Sequence, residues 1–305
     1  MTAKLKFGLR VPSVHPMDVE AMRAWVLKAE ALGFDSIWAG DHVFYRVDVP
    51  QPLHLLTWVA AQTSRVRLGT AIMLTSYLNP VHLAKSAATL DALSGGRLTL
   101  GVSIGGTEAE YHSIGVPMEQ RLGRLLENVA IMKKLWAGDD VSYEGRYYQV
   151  KDASIKPKPA QPGGVPVYFG SQREPMLRRI GRTADGWVSS AGTSTDAFLD
   201  GVKDIRRFAK EKGREPDSLG FAKLHFASIG RDKAEAAGLA HKHFDAYYGR
   251  TYNVETGVAH GTVSEVREEL SRFLETEAPA MTVVIEPPGL GLEQLDLLSE
   301  ATKGL

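Results

Sequence analysis

Apolar residues recur along this chain with two periods. Short β-branched or aromatic runs, each a candidate strand, alternate with longer stretches whose apolar positions return every three or four residues, the spacing of one helix face. KFGLRV reads as a strand, and DVEAMRAWVLKAEALG as an amphipathic helix closed by Gly33. SIWA and the helical LHLLTWVAAQTS follow. VRLGTAIML predicts a third strand, and PVHLAKSAATLDALSGG a helix with Pro80 in its first turn, where the missing N–H has no helical partner to lose. RLTLGVSI predicts a fourth strand, and RLGRLLENVAIMKKLWAG the helix after it.

The alternation then pauses. VSYEGRYYQV, with tyrosines around Glu144–Gly145, predicts a β-hairpin, and the Pro-rich IKPKPAQPGGVP an extended connector. The pattern resumes with VYFG, a helix from about Pro175, GWVSS and a helix from Thr195 to Gly213. GFAKLHFASIG, the helical KAEAAGLAHKHFDAYYG and TVSEVREELSRFLE, the strand MTVVIE and a last helix LEQLDLLSEAT complete it. Roughly eight strand–helix units predict an α/β fold, a (β/α)8 TIM barrel. The expectation is one domain over residues 1–305, with a small hairpin insertion near 139–165. A doubly wound sheet is the alternative, but such sheets rarely hold eight parallel strands in a chain of this size.

Composition narrows the chemistry. The 36 basic and 36 acidic residues cancel, so no basic face for nucleic acid is expected. Without cysteine, disulfides, thiolate catalysis and cysteine-ligated metals are excluded. MTAKLKFGLRVPS lacks the apolar core of a signal peptide, and no run is long enough to span a bilayer, so a soluble cytoplasmic protein is expected. PPGLGLEQ offers Gly289 and Gly291, but Gln294 stands at the third glycine position and no strand follows to complete a dinucleotide-binding unit. HExxH and the glycine–lysine phosphate loop are both missing. His241 and His243, two apart on a helix, should point to different faces and be solvated, so no metal site is expected.

What remains is the adjacent acid and imidazole of GDHVF. Active sites of barrels lie at the carboxyl ends of strands, and Asp41 and His42 come just after the second one. A histidine there can exchange protons near neutral pH, with an acid orienting it. Residue type alone supports a helix cap and a packed imidazole equally well.

Neighbouring segments add a resemblance. GFDSIWAGDHVF, RLGTAIMLTSYLNPVHLAKSAATLDALSGGRLTLGVSIGG and PVYFGSQREPMLRRIGRTADGWVSS resemble the luciferase-like monooxygenase superfamily, from the first strand to about Ser190 and more weakly beyond. The family is a (β/α)8 barrel with an insertion, and its members use reduced FMN or the deazaflavin coenzyme F-420. The resemblance implies that Asp41–His42 lie beside the reactive carbon of the coenzyme. His42 would transfer the proton, and Asp41 would orient it or bind the coenzyme. Ala71–Ile72 fall where the family carries a bulge with a non-proline cis peptide behind the coenzyme ring. YFGSQ matches the phosphate loop, giving Gly170, Ser171 and Gln172, with Ser189 and Ser190 lining the same pocket. Sugar-phosphate dehydrogenases of the family carry a glutamate after the fourth strand. Here Gly106 stands at that position, with Glu108 and Glu110 offset from it, which argues against glucose-6-phosphate-type oxidation.

The expectation is therefore an F-420-dependent oxidoreductase that passes a hydride to or from a small organic substrate. The alternatives are an FMNH2-dependent monooxygenase, served by a separate flavin reductase, and a non-catalytic flavin-binding protein. A homodimer is expected by analogy with the family. Pocket walls should include His15, Tyr111, His112 and the hairpin.

Overall fold

Parallel pairing runs from strand to strand until the sheet meets its own first edge. The computed structural model describes residues 5–249, 252–276 and 278–305. Its first units are β1 (Lys6–Arg10), α1 (Val19–Ala31), β2 (Ser36–Ala39), α2 (Pro52–Gln62) and β3 (Arg67–Thr70), which continues as β4 (Met73–Leu74). Then come α3 (Pro80–Ser94), β5 (Leu98–Ser103), α4 (Glu108–Ile114) and α5 (Arg121–Ala137). The antiparallel hairpin β6 (Val141–Glu144) and β7 (Gln149–Ala153) precedes β8 (Val167–Gly170), α6 (Glu174–Thr183), β9 (Gly186–Ser189) and α7 (Thr195–Glu211). β10 (Gly220–Ile229), α8 (Lys233–Tyr248), α9 (Val254–Gly257), β11 (Ala259–Gly261), α10 (Val263–Ser271), β12 (Met281–Glu286) and α11 (Leu292–Thr302) follow. β1 pairs with both β2 and β12, and β9 with β10, so the eight-stranded parallel barrel is closed. β11 adds to the far end of β10.

Local chemistry sets the boundaries. Asp18 accepts the Ala21 N–H at the start of α1, and Asn79 accepts those of Val81 and His82 ahead of Pro80 in α3. Gly95 ends α3 in the left-handed conformation at φ 71°, where a side chain would be strained. Inside the barrel, large rings fill space left by glycines. A Cβ on Gly8 would come within 2.8 Å of the Trp38 indole nitrogen, and one on Gly69 within 2.3 Å of the same ring. Tyr168 occupies the corresponding room above Gly186 and Gly220. This small-against-large alternation lets a closed sheet pack without a pore.

Three departures from the sequence expectation have physical causes. The third strand is two strands, interrupted at Ala71–Ile72. TEAEYHSI forms a helix, α4, opened by a reciprocal capping box between Thr107 and Glu110; seven residues are too few to show a helical period. TVSEVREELSRFLE is helical only to Ser271 and then tightens into a 3-10 turn over Arg272–Glu275. No helix among the described residues is long and apolar enough to cross a membrane.

The β3–β5 contact gives a stability prediction. A Cβ on Gly101 would lie 2.0 Å from the Thr70 carbonyl oxygen, a backbone atom that cannot swing aside. Gly101→Ala should cost about 1–3 kcal/mol or more in urea unfolding. Gly238→Ala, in α8 with nothing within 4 Å, should be neutral or mildly stabilising. Equal midpoints for the two variants would disprove the packing argument.

Candidate active site

The interruption between β3 and β4 shapes the mouth of the barrel. Gly69 pairs with Thr99 and Met73 with Val102, so three residues (Thr70, Ala71 and Ile72) span the same distance as two on β5. This is a β-bulge, and its Ala71–Ile72 peptide is cis, as the resemblance implied. Ala71 and Ile72 face a cavity of about 660 Å³, together with Gly170, Ser171, Gln172 and Ser189. The structure thus gathers into one wall six residues that are scattered over three strand ends in the sequence.

Hydrogen bonds fix that wall. The Ser103 hydroxyl donates to the Gly170 carbonyl at 2.9 Å, and a Cβ on Gly170 would stand 3.2 Å from both Ile72 and Ser103. A side chain at this position would therefore have to push Ile72 or Ser103 aside by a few tenths of an ångström. The Gln172 amide donates to Ser190 Oγ at 2.8 Å, Ser189 to Thr193 at 2.8 Å, and the Trp187 indole to the Ser171 carbonyl at 2.7 Å.

Asp41 and His42 are adjacent in sequence but do not pair with each other. Asp41 Oδ2 accepts the Leu74 N–H at 2.9 Å, which ties the end of β2 to the chain just past the bulge. His42 instead turns Nδ1 toward Glu110 Oε1 at 3.4 Å, too poorly aligned for a hydrogen bond. Its ring stacks on Tyr45, with centroids 4.1 Å apart and planes at 17°. Glu110 is fully buried and accepts N–H bonds from Val43 at 2.6 Å, Phe44 at 3.3 Å and Thr107 at 2.6 Å. The carboxylate nearest the His42 ring is thus Glu110 rather than Asp41, and it is brought in by a helix that the sequence pattern does not show. Neither Asp41 nor His42 lines the 660 Å³ cavity. His42 opens instead on a neighbouring cleft of about 370 Å³, with Met17 and Tyr45.

Burial sets the charge states. It pushes Asp41 up to about 6, against the Leu74 N–H and with help from the Glu110 charge. It lowers His42 below its ordinary value, outweighing Glu110, and Arg10 adds to the effect. Burial would raise Glu110, but the N–H groups of Thr107, Val43 and Phe44 hold it low. At neutral pH the site has an ionised Glu110, a largely ionised Asp41 and a neutral His42.

The other expected wall residues lie elsewhere. His15 is exposed and bonds Asp48 at 3.1 Å. Tyr111 is buried and donates to the Ile104 carbonyl at 3.1 Å, and His112 is exposed. Neither these three nor the hairpin lines the cavity; Ile104, Gly105 and Gly106 do. His241 is half exposed, as expected, but His243 is not. Its Nε2 sits 3.3 Å from Glu286 Oε1, and Glu286 pairs with Arg10, which also donates to Tyr247 at 3.0 Å. His243 falls on the buried stripe Ala236, Ala240, Phe244 and Tyr247, so the helical period would have revealed it. Among the described residues no group of three His, Asp or Glu side chains could hold a metal ion.

The sequence pattern described as luciferase-like monooxygenase matches residues 5–284. This chain belongs to that family. It is 37% identical over 202 residues to a protein of Kineococcus radiotolerans named F420-dependent glucose-6-phosphate dehydrogenase, covering 64% of this chain and 59% of that relative. A protein of Intrasporangium calvum with the same name is 31% identical over 281 residues, 88% of this chain and 82% of the relative. The crystal structure of monooxygenase RslO1 from Streptomyces bottropensis superposes with a TM-score of 0.85 at 21% identity, covering 97% of this chain and 98% of that one, and shares the fold.

One more residue of this family member was missed by sequence reading. Lys223, on β10, is fully buried, and Nζ donates to the carbonyls of Leu224 at 2.6 Å, Ser190 at 3.0 Å and Ala191 at 3.5 Å. Its ammonium holds the chain as it leaves β9, beside the Ser190 that receives Gln172. Burial pushes it down to about 7, against the charge of Glu269. Between about pH 7 and the ordinary lysine value near 10.4, the unfolded chain keeps a proton that the folded chain has lost. Lys223 therefore makes stability rise with pH across that window. The slope of urea midpoint against pH should be shallower for Lys223→Met than for the parent; parallel slopes would contradict the assignment.

Proposed function

We propose that this chain is an oxidoreductase dependent on the deazaflavin coenzyme F-420, moving a hydride between the coenzyme and a small organic substrate while His42 carries the proton. The observation that carries the proton role is the neutral, partly buried His42. Its Nε2 has no hydrogen-bond partner among the described residues, and its ring borders an open cleft. The coenzyme choice is supported by the two relatives whose names specify F420.

The residues present fit such a group. A cavity of about 660 Å³ is of the size that small-molecule sites have. Two glycines keep its lining free of bulk: Gly170, where a Cβ would crowd Ile72 and Ser103 at 3.2 Å, and Gly106, whose φ of 94° disfavours a side chain. Ala71 and Ile72 would back the ring. Backbone N–H groups of the Ser171–Gln172 turn, just ahead of α6, would hold the phosphate. When bound, the coenzyme supplies the hydride chemistry.

The rest falls to side chains. In substrate oxidation His42 Nε2 accepts the proton released from the substrate hydroxyl, and in reduction it returns one. Glu110 faces Nδ1 and stabilises the imidazolium formed in between. Asp41 keeps the strand end in place through Leu74. Because the acceptor must be neutral, oxidation should slow as pH falls through the lowered His42 value, and reduction should change in the opposite sense. With Gly106 at the expected glutamate position, glucose 6-phosphate should be a poor substrate despite the names of the relatives.

Two variants test this reading. His42→Ala should keep coenzyme affinity and lose turnover by about 10²–10⁴-fold. Asp41→Ala should also weaken coenzyme binding, because the Leu74 N–H beside the bulge loses its acceptor. Reduced F-420 should be consumed without oxygen uptake. Oxygen consumption matched to oxidation of supplied FMNH2, with no binding of F-420, would establish the monooxygenase instead. Full activity in His42→Ala would remove the imidazole from the chemistry.

A further inference from the structure

The 660 Å³ cavity takes its charge from two arginines. Arg121 and Arg173 line it, with no carboxylate and no other ionisable side chain. Arg121 opens α5, and Arg173 is the residue from which α6 starts; neither helix start has a side-chain cap. Two helix N-termini therefore add positive potential to two guanidinium groups.

Both arginines are also spare. Neither side chain has an ion-pair or hydrogen-bond partner among the described residues. The next arginine along each helix is engaged. Arg124 bonds Gln120 at 3.0 Å and lies over Tyr147 and Tyr148. Arg178 takes Glu174, the carboxylate next to Arg173 in sequence, at 2.6 Å. Leaving two guanidinium groups unpaired at the rim of a cavity without acids suits an anionic occupant with more than one charge.

The Ser171–Gln172 backbone already offers donors for one phosphate. FMN ends at its phosphate, whereas F-420 continues through a phosphodiester to lactate and γ-linked glutamates, each adding a carboxylate. We infer that Arg121 and Arg173 form a subsite for the carboxylates of that tail, so that this rim selects the deazaflavin coenzyme over FMN. The inference rests on the F-420 reading above. Guanidinium groups match carboxylates in a two-pronged geometry, and exposed ones do so with modest strength.

The test is equilibrium binding followed by coenzyme fluorescence, with three ligands: F-420 bearing several glutamates, the phospholactyl form without glutamate, and FMN. The parent should bind the full tail more tightly than the truncated form, and rising salt should narrow the gap. Arg121→Gln and Arg173→Gln should each weaken binding of the full tail about three- to tenfold and weaken the truncated form, which keeps only the lactate carboxylate, by less. The double variant should bind the two forms alike. Thermal unfolding should change little, because neither side chain has an ion-pair or hydrogen-bond partner among the described residues. Equal parent affinity for the two F-420 forms would overturn the subsite. So would variants that lose the full-length form, the truncated form and FMN in equal measure, since that pattern places the arginines on the phosphate. A parent that binds FMN but no form of F-420 would overturn the coenzyme reading, and the subsite with it.

Discussion

A buried carboxylate must find donors, and at the mouth of this barrel that requirement shapes the site. Glu110 has no access to water, so its two oxygens draw in three backbone N–H groups. Thr107 N–H closes the first turn of α4, while Val43 and Phe44 N–H belong to the chain leaving β2. One side chain thus joins the loops after two strands and presents its charge to His42 as it does so. Asp41 repeats the arrangement on a smaller scale, binding the Leu74 N–H beside the bulge. The imidazole is held in a frame of backbone donors satisfied by acids, which is why its position survives without a direct bond to either carboxylate.

Much of this was legible in the chain because the barrel repeats two simple periods. Short apolar runs became strands, and amphipathic stretches became helices with the expected caps at Asp18 and Asn79. Of the seven residues that the family resemblance gives to the coenzyme, the six from Ala71 to Ser189 share one cavity and Asp41 does not line it. The exceptions were features that no short-range pattern encodes. α4 is too short to show a period, so the sequence offers Glu110 only as an acid offset from a family position. The buried stripe of α8 contains His243, although two histidines two places apart suggest a solvated face. Lys223 sits in a strand whose alternation looks like ordinary wall packing. Only the approach of the Ser190 and Ala191 carbonyls explains a cation there.

The division of the mouth into two openings follows from the same geometry. His42, stacked on Tyr45, lines one opening, while Ala71 and Gly170 line the other. A polar chain runs from Tyr247 through Arg10 and Glu286 to His243, joining the last residues of the first and last strands of the barrel. Buried charges paired in this way hold neighbouring elements in one arrangement, since removing any one of them leaves its partner unpaired.

Trp38 and its two glycines carry a different consequence. Because the indole lies in the space that side chains on Gly8 and Gly69 would need, positions on three consecutive strands behave as one volumetric unit. Substitutions among them are coupled rather than independent: an alanine at Gly69 is tolerable only once the ring at position 38 has been reduced. Relatives that differ at one of these positions are therefore expected to differ at another, and a designer who enlarges the barrel interior must change the three together.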